Sequence, residues 1–409
     1  MAMTLLTGGR VLDPETGTSQ NGLDVRVVDG RIAEIGLNLA APEDARVLAL
    51  GGRTLMPGMI DAHVHVVAEK LDLWQNVLAP TSLAALYAAR MMEDMLQRGF
   101  TTIRDLGGAD HGLVRGVEEG LIQGPRLVIS GKGLTITGGH ADIRSRTDTR
   151  SELVDRLGAM GVVVNGVDGV RSAARDMIKG GARFIKIMAN GGVASPNDPI
   201  HSLQFSADEI RAVVEEAGNA GLYVSAHVYT DAAIRRCVEL GVHSLEHCNL
   251  IEPETARLAA ERGCIAVPTL VAYEALFLEG RRFGFGDAEF AKIDIVRSGG
   301  RRSLEVMRDA GLPMAFGSDL LGELRKFHSM EFELLARVLS PPEIIRSATL
   351  VGAQLCGLAD KVGRIAPGYL ADLIVVDGDP LADITVLGHD GTHLPVIMRG
   401  GALVRDRLA

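Results

Sequence analysis

Residues 57–65 read Pro-Gly-Met-Ile-Asp-Ala-His-Val-His, a pattern that predicts a short apolar strand ending in two histidines. Positions two apart on a strand share a face, so the side chains of His63 and His65 point the same way and can hold one metal ion. This spacing also arises by chance, so it indicates a metal site only if other ligands converge on it. Whether His63 and His65 belong to a metal site therefore depends on which other ligands the rest of the chain supplies.

Short apolar segments of the same kind recur along the middle of the chain, separated by helical patterns such as those over residues 207–220 and 230–240. Alternating strands and helices are typical of βα units with a parallel sheet, and eight such strands close into a barrel. The predicted strands cover residues 59–66, 101–106, 126–131, 184–189, 223–229, 244–247, 266–270 and 314–319. We therefore predict an α/β fold with a (β/α)₈ TIM barrel over residues 58–364.

The two ends of the chain differ from this middle, because both show short strands joined by turns. The predicted strands there cover residues 23–28, 31–35, 371–376, 396–398 and 402–404. Asp29-Gly30 separates the first two, and this dipeptide is typical of a two-residue hairpin turn. We predict that residues 1–57 and 365–409 together form one small β-sandwich module beside the barrel.

The overall composition limits the classes of partner and the location. Hydrophobic residues make up 47% of the 409 residues and charged residues 23%, as in ordinary globular proteins. The net charge of −10 and the lack of Lys/Arg clusters argue against nucleic acid as a partner, because phosphate binding needs a basic surface. We see no signal-peptide pattern and no stretch of about 18 apolar residues, so we expect a cytoplasmic protein with no membrane partner.

The four cysteines, Cys237, Cys248, Cys264 and Cys356, include no closely spaced pair. This spacing suits neither a thiolate zinc site nor a disulfide framework. We therefore expect four buried free thiols, because free cysteine is among the most buried residue types.

Four later strands also carry a residue that can bind a metal, namely Lys186, His227, His247 and Asp319. The carboxyl ends of barrel strands meet on one face, so these side chains and the histidine pair are expected to converge. Imidazole and carboxylate ligands suit zinc, or manganese or iron less specifically. Lys186 stands among apolar neighbours, where an ammonium needs a partner. It is either half of a buried salt bridge or an amine that has reacted with carbon dioxide to give a carbamate, an anionic ligand bridging two metals.

At these positions the sequence resembles the amidohydrolase superfamily. The matching segments span nearly the whole chain and are residues 57–65, Lys186, His227, His247, 317–319, 363–368 and 371–373. Within the superfamily, residues 138–140, 191–192 and 227–229 are similar to the branch of Xaa-Pro dipeptidases and carboxypeptidases, relatives of imidazolonepropionase. Members of the imidazolonepropionase type lack the bridging lysine, so Lys186 favours the peptidase-like branch.

The resemblance implies a binuclear centre of two divalent ions, with zinc as the expected metal. The implied ligands are His63, His65 and Asp319 for the more buried ion, His227 and His247 for the more exposed ion, and a carbamate on Lys186 as the bridge. A hydroxide shared by the ions would attack the scissile carbonyl, and Asp319 would carry its proton to the leaving nitrogen. His140 would donate a hydrogen bond to the carbonyl oxygen; the alternative is a histidine that only satisfies buried hydrogen bonds.

Three further residues are candidates for binding substrate. Tyr229 lies two residues beyond His227 and so shares its face, although a tyrosine packed at the barrel rim is an equal alternative. Arg144 or Arg146, in the long loop that follows His140, can clamp a substrate carboxylate through two hydrogen bonds. Solvated loop charges are the alternative for both arginines.

Weaker signals single out three more residues and one loop. His201 and His328 follow ligand-bearing strands and are included as substrate-binding candidates. Asp61 shares the face of the histidine pair and can orient a ligand. The stretch between residues 140 and 171 is longer than a usual βα loop, so we expect it to cover or shape the site.

We predict an enzyme that hydrolyses amide bonds in small substrates, as an Xaa-Pro dipeptidase or a dipeptide carboxypeptidase, with N-acyl amino acids also accepted. Its binding partner is then a small molecule or dipeptide, and the resemblance implies a homo-oligomer. Two other functions stay open: a cyclic-amide hydrolase or deaminase of a heterocycle, and a catalytically inactive scaffold. The intact set of six ligands argues against the scaffold.

Overall fold

A computed structural model describes residues 3–150, 156–195 and 198–408. The strands, in chain order, are β1 (Met3–Asp13), β2 (Thr18–Val28), β3 (Arg31–Leu37), β4 (Arg46–Ala49), β5 (Thr54–Pro57), β6 (Met59–Val64), β7 (Phe100–Asp105), β8 (Arg126–Ile129), β9 (Gly133–Thr135), β10 (Gly161–Val163), β11 (Ile185–Met188), β12 (Val224–Thr230), β13 (Ser244–Leu250), β14 (Ile265–Val267), β15 (Leu373–Val376), β16 (Val396–Arg399) and β17 (Ala402–Asp406). The helices are α1 (Leu73–Leu78), α2 (Thr81–Gln97), α3 (His111–Glu118), α4 (Gly166–Lys179), α5 (Ala207–Asn219), α6 (Asp231–Glu239), α7 (Pro253–Glu261), α8 (Leu270–Glu279), α9 (Asp287–Asp309), α10 (Met330–Leu335), α11 (Pro341–Arg346) and α12 (Gly352–Leu355).

Two runs of parallel strands form the part of the molecule that carries the site. The first run is β6-β7-β8, and the second is β10-β9-β11-β12-β13-β14. On one side the runs are joined where the Arg183 amide, just before β11, donates to the Ile129 carbonyl of β8 at 2.8 Å. Helices follow most of these strands and pack their apolar faces against them, so one large hydrophobic core surrounds the ring.

Residues 314–316 join the two runs on the other side. Met314 pairs in parallel with Ala266 of β14, and the Phe316 carbonyl accepts from the Ala62 amide of β6 at 2.8 Å. This segment therefore occupies the eighth strand position, between β14 and β6. Its backbone closes the ring that the alternation of strands and helices predicts.

The predicted fold class is confirmed, and seven of the eight predicted strands form; the eighth, predicted over residues 314–319, is only a single bridge at Met314 that extends the ring in irregular form. The helices α5 and α6 also match the helical patterns over residues 207–220 and 230–240. The start of α5 has a local cause, because the Ser206 hydroxyl accepts from the Glu209 amide while the Glu209 carboxylate accepts from the Ser206 amide. β14 also ends earlier than predicted, at Val267, because Pro268 has no amide hydrogen for the ladder and α8 begins soon afterwards.

A second sheet is built from both ends of the chain. Its strand order is β17-β16-β15-β5-β1-β2-β3, and β4 also pairs with β1. One edge of β1 is shared, since its first half pairs with β4 and its second half with β5. The hairpin of β2 and β3 is confirmed, and its turn residues Asp29 and Gly30 have φ angles of 47° and 82°, as a two-residue hairpin turn requires.

Where the chain first passes from the sheet into the ring, a single residue, Gly58, separates the two. It lies between β5, which pairs antiparallel with β15, and β6, which carries His63. A Cβ atom at position 58 would lie 2.1 Å from Oγ1 of Thr101, so only glycine lets the junction pack against β7. The terminal sheet and the strand that carries His63 and its predicted ligand role thus follow each other with close packing at Gly58.

Two further expectations concern the thiols and the membrane. All four cysteines are free and buried, as predicted. Within the described ranges, none of the helices combines the length and hydropathy needed to cross a bilayer.

The long stretch between residues 140 and 171 contains β10 and the start of α4, so its irregular part is shorter than the sequence indicates. Residues 151–155 of this stretch lie outside the described residues. Ala141 and Met160 line the cleft at the end of the ring, so this stretch shapes that cleft as predicted.

Candidate metal centre

One cleft at the carboxyl ends of the ring strands contains most of the predicted site residues. Its empty space, counted together with the solvent at its open mouth, is about 740 Å³. The predicted residues that line it are His63, His65, His140, Lys186, His227, Tyr229, His247 and Asp319. The remaining walls are largely apolar and include Leu71, Leu73, Met160, Met188, Val193, Leu276, Leu320, Leu321 and Leu324. The parallel topology thus brings all six predicted metal ligands into one apolar-walled space.

His63, His65 and Asp319 form the tightest group in this cleft. Nε2 of each histidine lies 3.4 Å from Oδ1 of Asp319. Within the part of the chain that the structure describes, these three side chains offer ligand atoms that all lie within 4.8 Å of one another. Two imidazoles and a carboxylate are a typical donor set for a divalent ion.

Hydrogen bonds outside the cleft hold the second ring nitrogen of three histidines. Nδ1 of His63 donates to Oε2 of Glu246 at 2.8 Å, and Nδ1 of His65 donates to a backbone carbonyl at 3.0 Å. Nδ1 of His247 lies 2.7 Å from the Thr269 hydroxyl oxygen. Such bonds fix the orientation of metal-binding imidazoles and leave Nε2 as the donor atom.

His227 has a buried ring nitrogen without a partner. Its Nε2 forms no hydrogen bond with any described residue, and its ring centroid lies 4.6 Å from that of His247. A buried polar atom left without a partner is destabilising, so this nitrogen is suited to bind an ion that enters the cleft. The pKa of His227 lies well below its ordinary value because of burial and the neighbouring His140 and His247 rings. The ring is therefore neutral, which is the form that binds metal.

Lys186 lies at the centre of the ligand set and is only 2% exposed. Its ammonium forms no ion pair and no hydrogen bond with any residue that the structure describes. Burial lowers the pKa of Lys186 to about 8, so its amine loses its proton far more readily than that of an ordinary lysine. The alternative of a buried salt bridge finds no partner among the described residues, and Glu246, whose charge acts on Lys186, is bonded to Arg104 and His63 instead.

Glu246 belongs to a buried network that sequence reasoning missed. Its Oε1 accepts from Arg104 at 2.7 Å and from the hydroxyls of Ser225 and Ser244 at 2.7 and 2.5 Å. Burial acts to raise the pKa of Glu246, but the Arg104 guanidinium holds it well below its usual range. The ionised carboxylate thus keeps its second oxygen for His63. The available signal was a charged residue inside each of two apolar strands, β7 and β13.

The pKa values of Asp319 and His65 show that this group of ligands favours a positive charge beside the carboxylate. Burial alone would raise the pKa of Asp319, yet the His63 and His65 rings lower it far below its usual range. Burial also disfavours the charged form of His65, but its hydrogen bond with Asp319 raises the pKa of that ring above the ordinary value. The Asp319 carboxylate therefore stays ionised and favours a cation beside it.

Two residues of the cleft wall, His247 and Asp319, and the neighbouring Cys248 have an unusual backbone conformation. His247, Cys248 and Asp319 have φ angles of 76°, 57° and 50°. Non-glycine residues in this left-handed region cost on the order of 1–3 kcal/mol each and cluster at functional sites. Two of the three, His247 and Asp319, are predicted metal ligands. The backbone strain therefore occurs at the positions that direct these side chains into the cleft.

His140 and Tyr229 lie beside the ligands. The His140 ring stacks on the His227 ring, with 4.1 Å between centroids and an interplanar angle of 24°. Burial lowers the pKa of His140, so this ring is neutral. The Tyr229 hydroxyl accepts from the Tyr273 hydroxyl at 3.2 Å. Both residues present polar atoms at the edge of the cleft.

Asp61 and His328 lie beneath the site rather than in it. Oδ1 of Asp61 accepts from the backbone amides of His63 and Ser318 at 3.0 and 3.2 Å. Its Oδ2 accepts from the Ser318 hydroxyl at 2.6 Å and from Nε2 of His328 at 3.0 Å. Asp61 thus links the backbone at His63 to that at Ser318, next to Asp319, which agrees with its predicted role of orienting a ligand. His328 is buried and does not line the cleft, so its role here is to hold Asp61.

The structure does not bring the other three candidates to the ligands. His201 is exposed and is not part of the cleft wall. Arg144 forms two hydrogen bonds with the Asp142 carboxylate at 2.7 and 2.8 Å and lines a neighbouring pocket instead. Arg146 is exposed and also lies outside the cleft wall. Sequence position alone placed these residues, because the path of a long loop is not set by local pattern.

Comparison with known families agrees with this geometry. The model of the amidohydrolase family matches residues 54–403. The chain belongs to the amidohydrolase family. As a metal-dependent amidohydrolase it is an enzyme, so the alternative of an inactive scaffold does not hold.

Similar proteins place this amidohydrolase near the prolidases. A solved prolidase in complex with N-methylphosphonate-L-proline is 46% identical, with a TM-score of 0.97, over 99% of this chain and 100% of that chain. A solved Xaa-Pro dipeptidase with bound methionine is 29% identical, with a TM-score of 0.86, over 99% of this chain and 100% of that one. Ochratoxinase from Aspergillus niger is 30% identical over 370 residues, which are 86% of this chain and 75% of the relative. The predicted resemblance to the Xaa-Pro dipeptidase branch is confirmed.

The Glu246 network gives a first test of the centre in this amidohydrolase. We expect Glu246→Gln to weaken metal affinity or activity by about 10–100-fold, because a neutral amide holds the His63 ring less firmly than a carboxylate does. Metal titration and kcat measured on the same preparation check this.

The matched control is Glu216→Gln, which breaks another ion-paired carboxylate, bonded to Arg171 and Arg175 on the outer helices. Both variants are expected to lower the melting temperature, but only Glu246→Gln should change metal affinity. Equal metal affinity in the two variants would contradict the role of Glu246.

Proposed function

We propose that this amidohydrolase cleaves the amide bond of N-acyl amino acids and of Xaa-Pro dipeptides. The observation that carries the proposal is the environment of Lys186, an unpaired buried amine surrounded by five further potential metal ligands in one cleft. The prolidase that is 46% identical over nearly the whole chain supports the choice of substrate. Its bound ligand contains a proline, which fits an enzyme of the same substrate class.

The chain's own residues fit a binuclear centre with a carbamate bridge. His63, His65 and Asp319 would hold one ion, and His227 and His247 the other. A carbamate forms only from the neutral amine, and the lowered pKa of Lys186, about 8, supplies that form. Two divalent ions, with zinc as the proposed metal, polarise a carbonyl and lower the pKa of water.

Asp319 is the residue that moves the proton. Its Oδ1 faces the two histidine Nε2 atoms, so Oδ2 is the oxygen available to take a proton from the attacking water. Because the pKa of Asp319 is held low, the carboxylate starts ionised and can act first as base. Releasing that proton to the leaving nitrogen completes the bond cleavage.

His140 and Tyr229 bind the two ends of the scissile unit. His140, beside His227, donates a hydrogen bond to the carbonyl oxygen as negative charge develops there. The Tyr229 hydroxyl already accepts from Tyr273, so its own hydrogen is free to donate to the substrate carboxylate. Neutral hydroxyl groups replace the arginine clamp that the long loop was expected to supply.

The walls of the cleft favour an uncharged acyl end. Apart from Asp319, no carboxylate of the described residues lines the cleft, and the other walls are mostly Leu, Met, Val and Ala. A substrate ammonium buried without a carboxylate partner is strongly disfavoured. An N-acyl group therefore suits the cleft better than the ammonium of a free dipeptide, and among dipeptides those with a large apolar first residue gain most from the apolar walls.

A substrate library tests the proposal. We expect the zinc-loaded enzyme to hydrolyse N-acyl-L-prolines and apolar-Xaa-L-Pro dipeptides, with kcat/KM higher for N-acetyl-L-Ala-type than for free L-Ala-type acyl ends. Turnover confined to cyclic amides or to deamination of a heterocycle would overturn the proposal and favour the imidazolonepropionase-like alternative.

Metal content is a separate prediction. We expect the purified protein to bind close to two divalent ions per chain, to lose activity with chelator and to recover it with zinc and bicarbonate. Elemental analysis checks the stoichiometry. Binding of a single ion under saturating zinc and bicarbonate would contradict the bridged centre.

A further inference from the structure

The orientation of His140 is set by a loop that follows β11. Nδ1 of His140 lies 2.6 Å from the Ser195 hydroxyl oxygen, and its ring stacks on His227. Asp198 is more distant, with Oδ2 at 3.8 Å from Nδ1, which is beyond hydrogen-bond reach. Ser195 is therefore the described residue that bonds Nδ1.

The loop also fixes the position of the ring by close packing. A Cβ atom at Gly192 would lie 1.9 Å from Nδ1 of His140, so the ring rests directly against the backbone there. The Gly192 amide donates to Oδ2 of Asp198 at 2.7 Å, and the His140 amide donates to Gln204 at 3.0 Å. The ring thus has little freedom to rotate or shift.

Lys292 of α9 holds this loop from the other side. Its ammonium donates to the backbone carbonyls of Gly192, Ser195 and Asp198 at 3.2, 3.1 and 2.8 Å. An ammonium has three N–H donors, so all three are used on one loop. No other described contact of the Lys292 ammonium competes with them, and the loop is thereby fastened to a long helix.

The hydrogen bond to Ser195 has a consequence for the position of the ring proton. A neutral imidazole has one N–H, and the nitrogen that carries it depends on the bond that the other nitrogen makes. When the Ser195 O–H donates to Nδ1, the proton lies on Nε2. Only that tautomer can donate from Nε2, the nitrogen that forms no hydrogen bond with any described residue.

We propose that Ser195 is a positioning residue that holds His140 in the Nε2–H tautomer, and that Lys292 fixes the loop that presents Ser195. The proposal rests on the proposed function, in which His140 donates to the substrate carbonyl. It assigns the Ser195 hydroxyl as donor to Nδ1 of His140.

Kinetics of the zinc-loaded enzyme give the first test. Ser195→Ala is expected to lower kcat by at least about 10-fold. The upper limit is about 10²–10³-fold, the effect of losing an oxyanion donor altogether, and KM should be nearly unchanged. Lys292→Met should lower kcat in the same direction, and both variants should keep their metal. The control is Ser202→Ala, which removes another hydroxyl of the same loop, bonded to the Pro199 carbonyl at 2.8 Å, and should leave kcat unchanged.

A double variant separates positioning from general loss of structure. If Ser195 acts through His140, then Ser195→Ala combined with His140→Gln should be no slower than His140→Gln alone. Losses that multiply in the double variant would overturn the proposal. So would a Ser195→Ala enzyme with unchanged kcat.

Nitrogen NMR provides a readout that does not depend on turnover. In zinc-loaded protein with ¹⁵N-labelled histidine, the His140 signals, assigned by their absence in His140→Gln, should show a protonated Nε2 and an unprotonated Nδ1. Ser195→Ala should shift this towards a mixture of tautomers. If the wild type hydrolyses none of the amides, the proposed function fails while these spectra still decide the tautomer. A proton on Nδ1 in the wild type would overturn the inference.

Discussion

Lys186→Met is expected to abolish most activity, lowering kcat/KM by at least about 10³-fold, which corresponds to roughly 4 kcal/mol of transition-state stabilisation. Methionine fills nearly the same volume as lysine in the apolar surroundings of Lys186, so folding should survive. It cannot form a carbamate, so the proposed anionic bridge is lost. Steady-state kinetics with metal analysis on the same sample check this result.

Chemical rescue distinguishes a lost ligand from a damaged fold. In Lys186→Ala the side chain is replaced by a space, and a short carboxylic acid in solution should partly restore turnover by supplying the missing anion. Lys186→Met leaves no such space and is the matched control that should not respond. Full activity of either variant without added acid would contradict the bridging role.

Asp319→Asn is expected to lower kcat by about 10²–10⁴-fold, the usual worth of a positioned acid–base group. The amide keeps the size of the carboxylate but cannot take a proton. Because Oδ1 faces the Nε2 atoms of His63 and His65, the variant should also bind one ion more weakly. Kinetics under saturating zinc separate the two effects, since added metal restores occupancy but not the base.

A surface carboxylate provides the comparison for Asp319. Asp168→Asn changes an exposed residue in the first turn of α4 and should leave kcat and metal content as they are. Glu246→Gln should fall between the two, because it removes support from a ligand rather than the ligand itself. An Asp319→Asn enzyme that retains kcat at full metal loading would contradict the role of Asp319 as base.

The ring of strands could be predicted because its signals are local. Each strand is a short apolar segment, and several carry a side chain that can bind a metal, such as Lys186 in β11 or His227 in β12. Parallel topology then forces the ends of these strands onto one face. The convergence of the ligands therefore follows from periodicity and from the barrel rule, without knowledge of any contact.

The supporting contacts could not be predicted in the same way. Arg104 and Glu246 lie on β7 and β13, and no local pattern shows that they meet in the barrel interior. Ser195 and Lys292 meet only because α9 packs against an irregular loop, whose path depends on tertiary packing. The wrong predictions for loop residues such as Arg144 have the same cause, because the path of their loop also depends on tertiary packing. Residues on strands were predicted more accurately than residues on loops.

The pairing of β5 with β15 has a consequence for how the chain is made. The partner of β5 is encoded near the other end of the chain, so during synthesis this edge stays unpaired while the whole ring emerges from the ribosome. Gly58 connects this unpaired edge of β5 directly to β6, the strand of His63. Contacts between residues so distant in sequence form slowly. We expect a chain interrupted before β15 to aggregate through its open edge rather than to persist as a partly active enzyme.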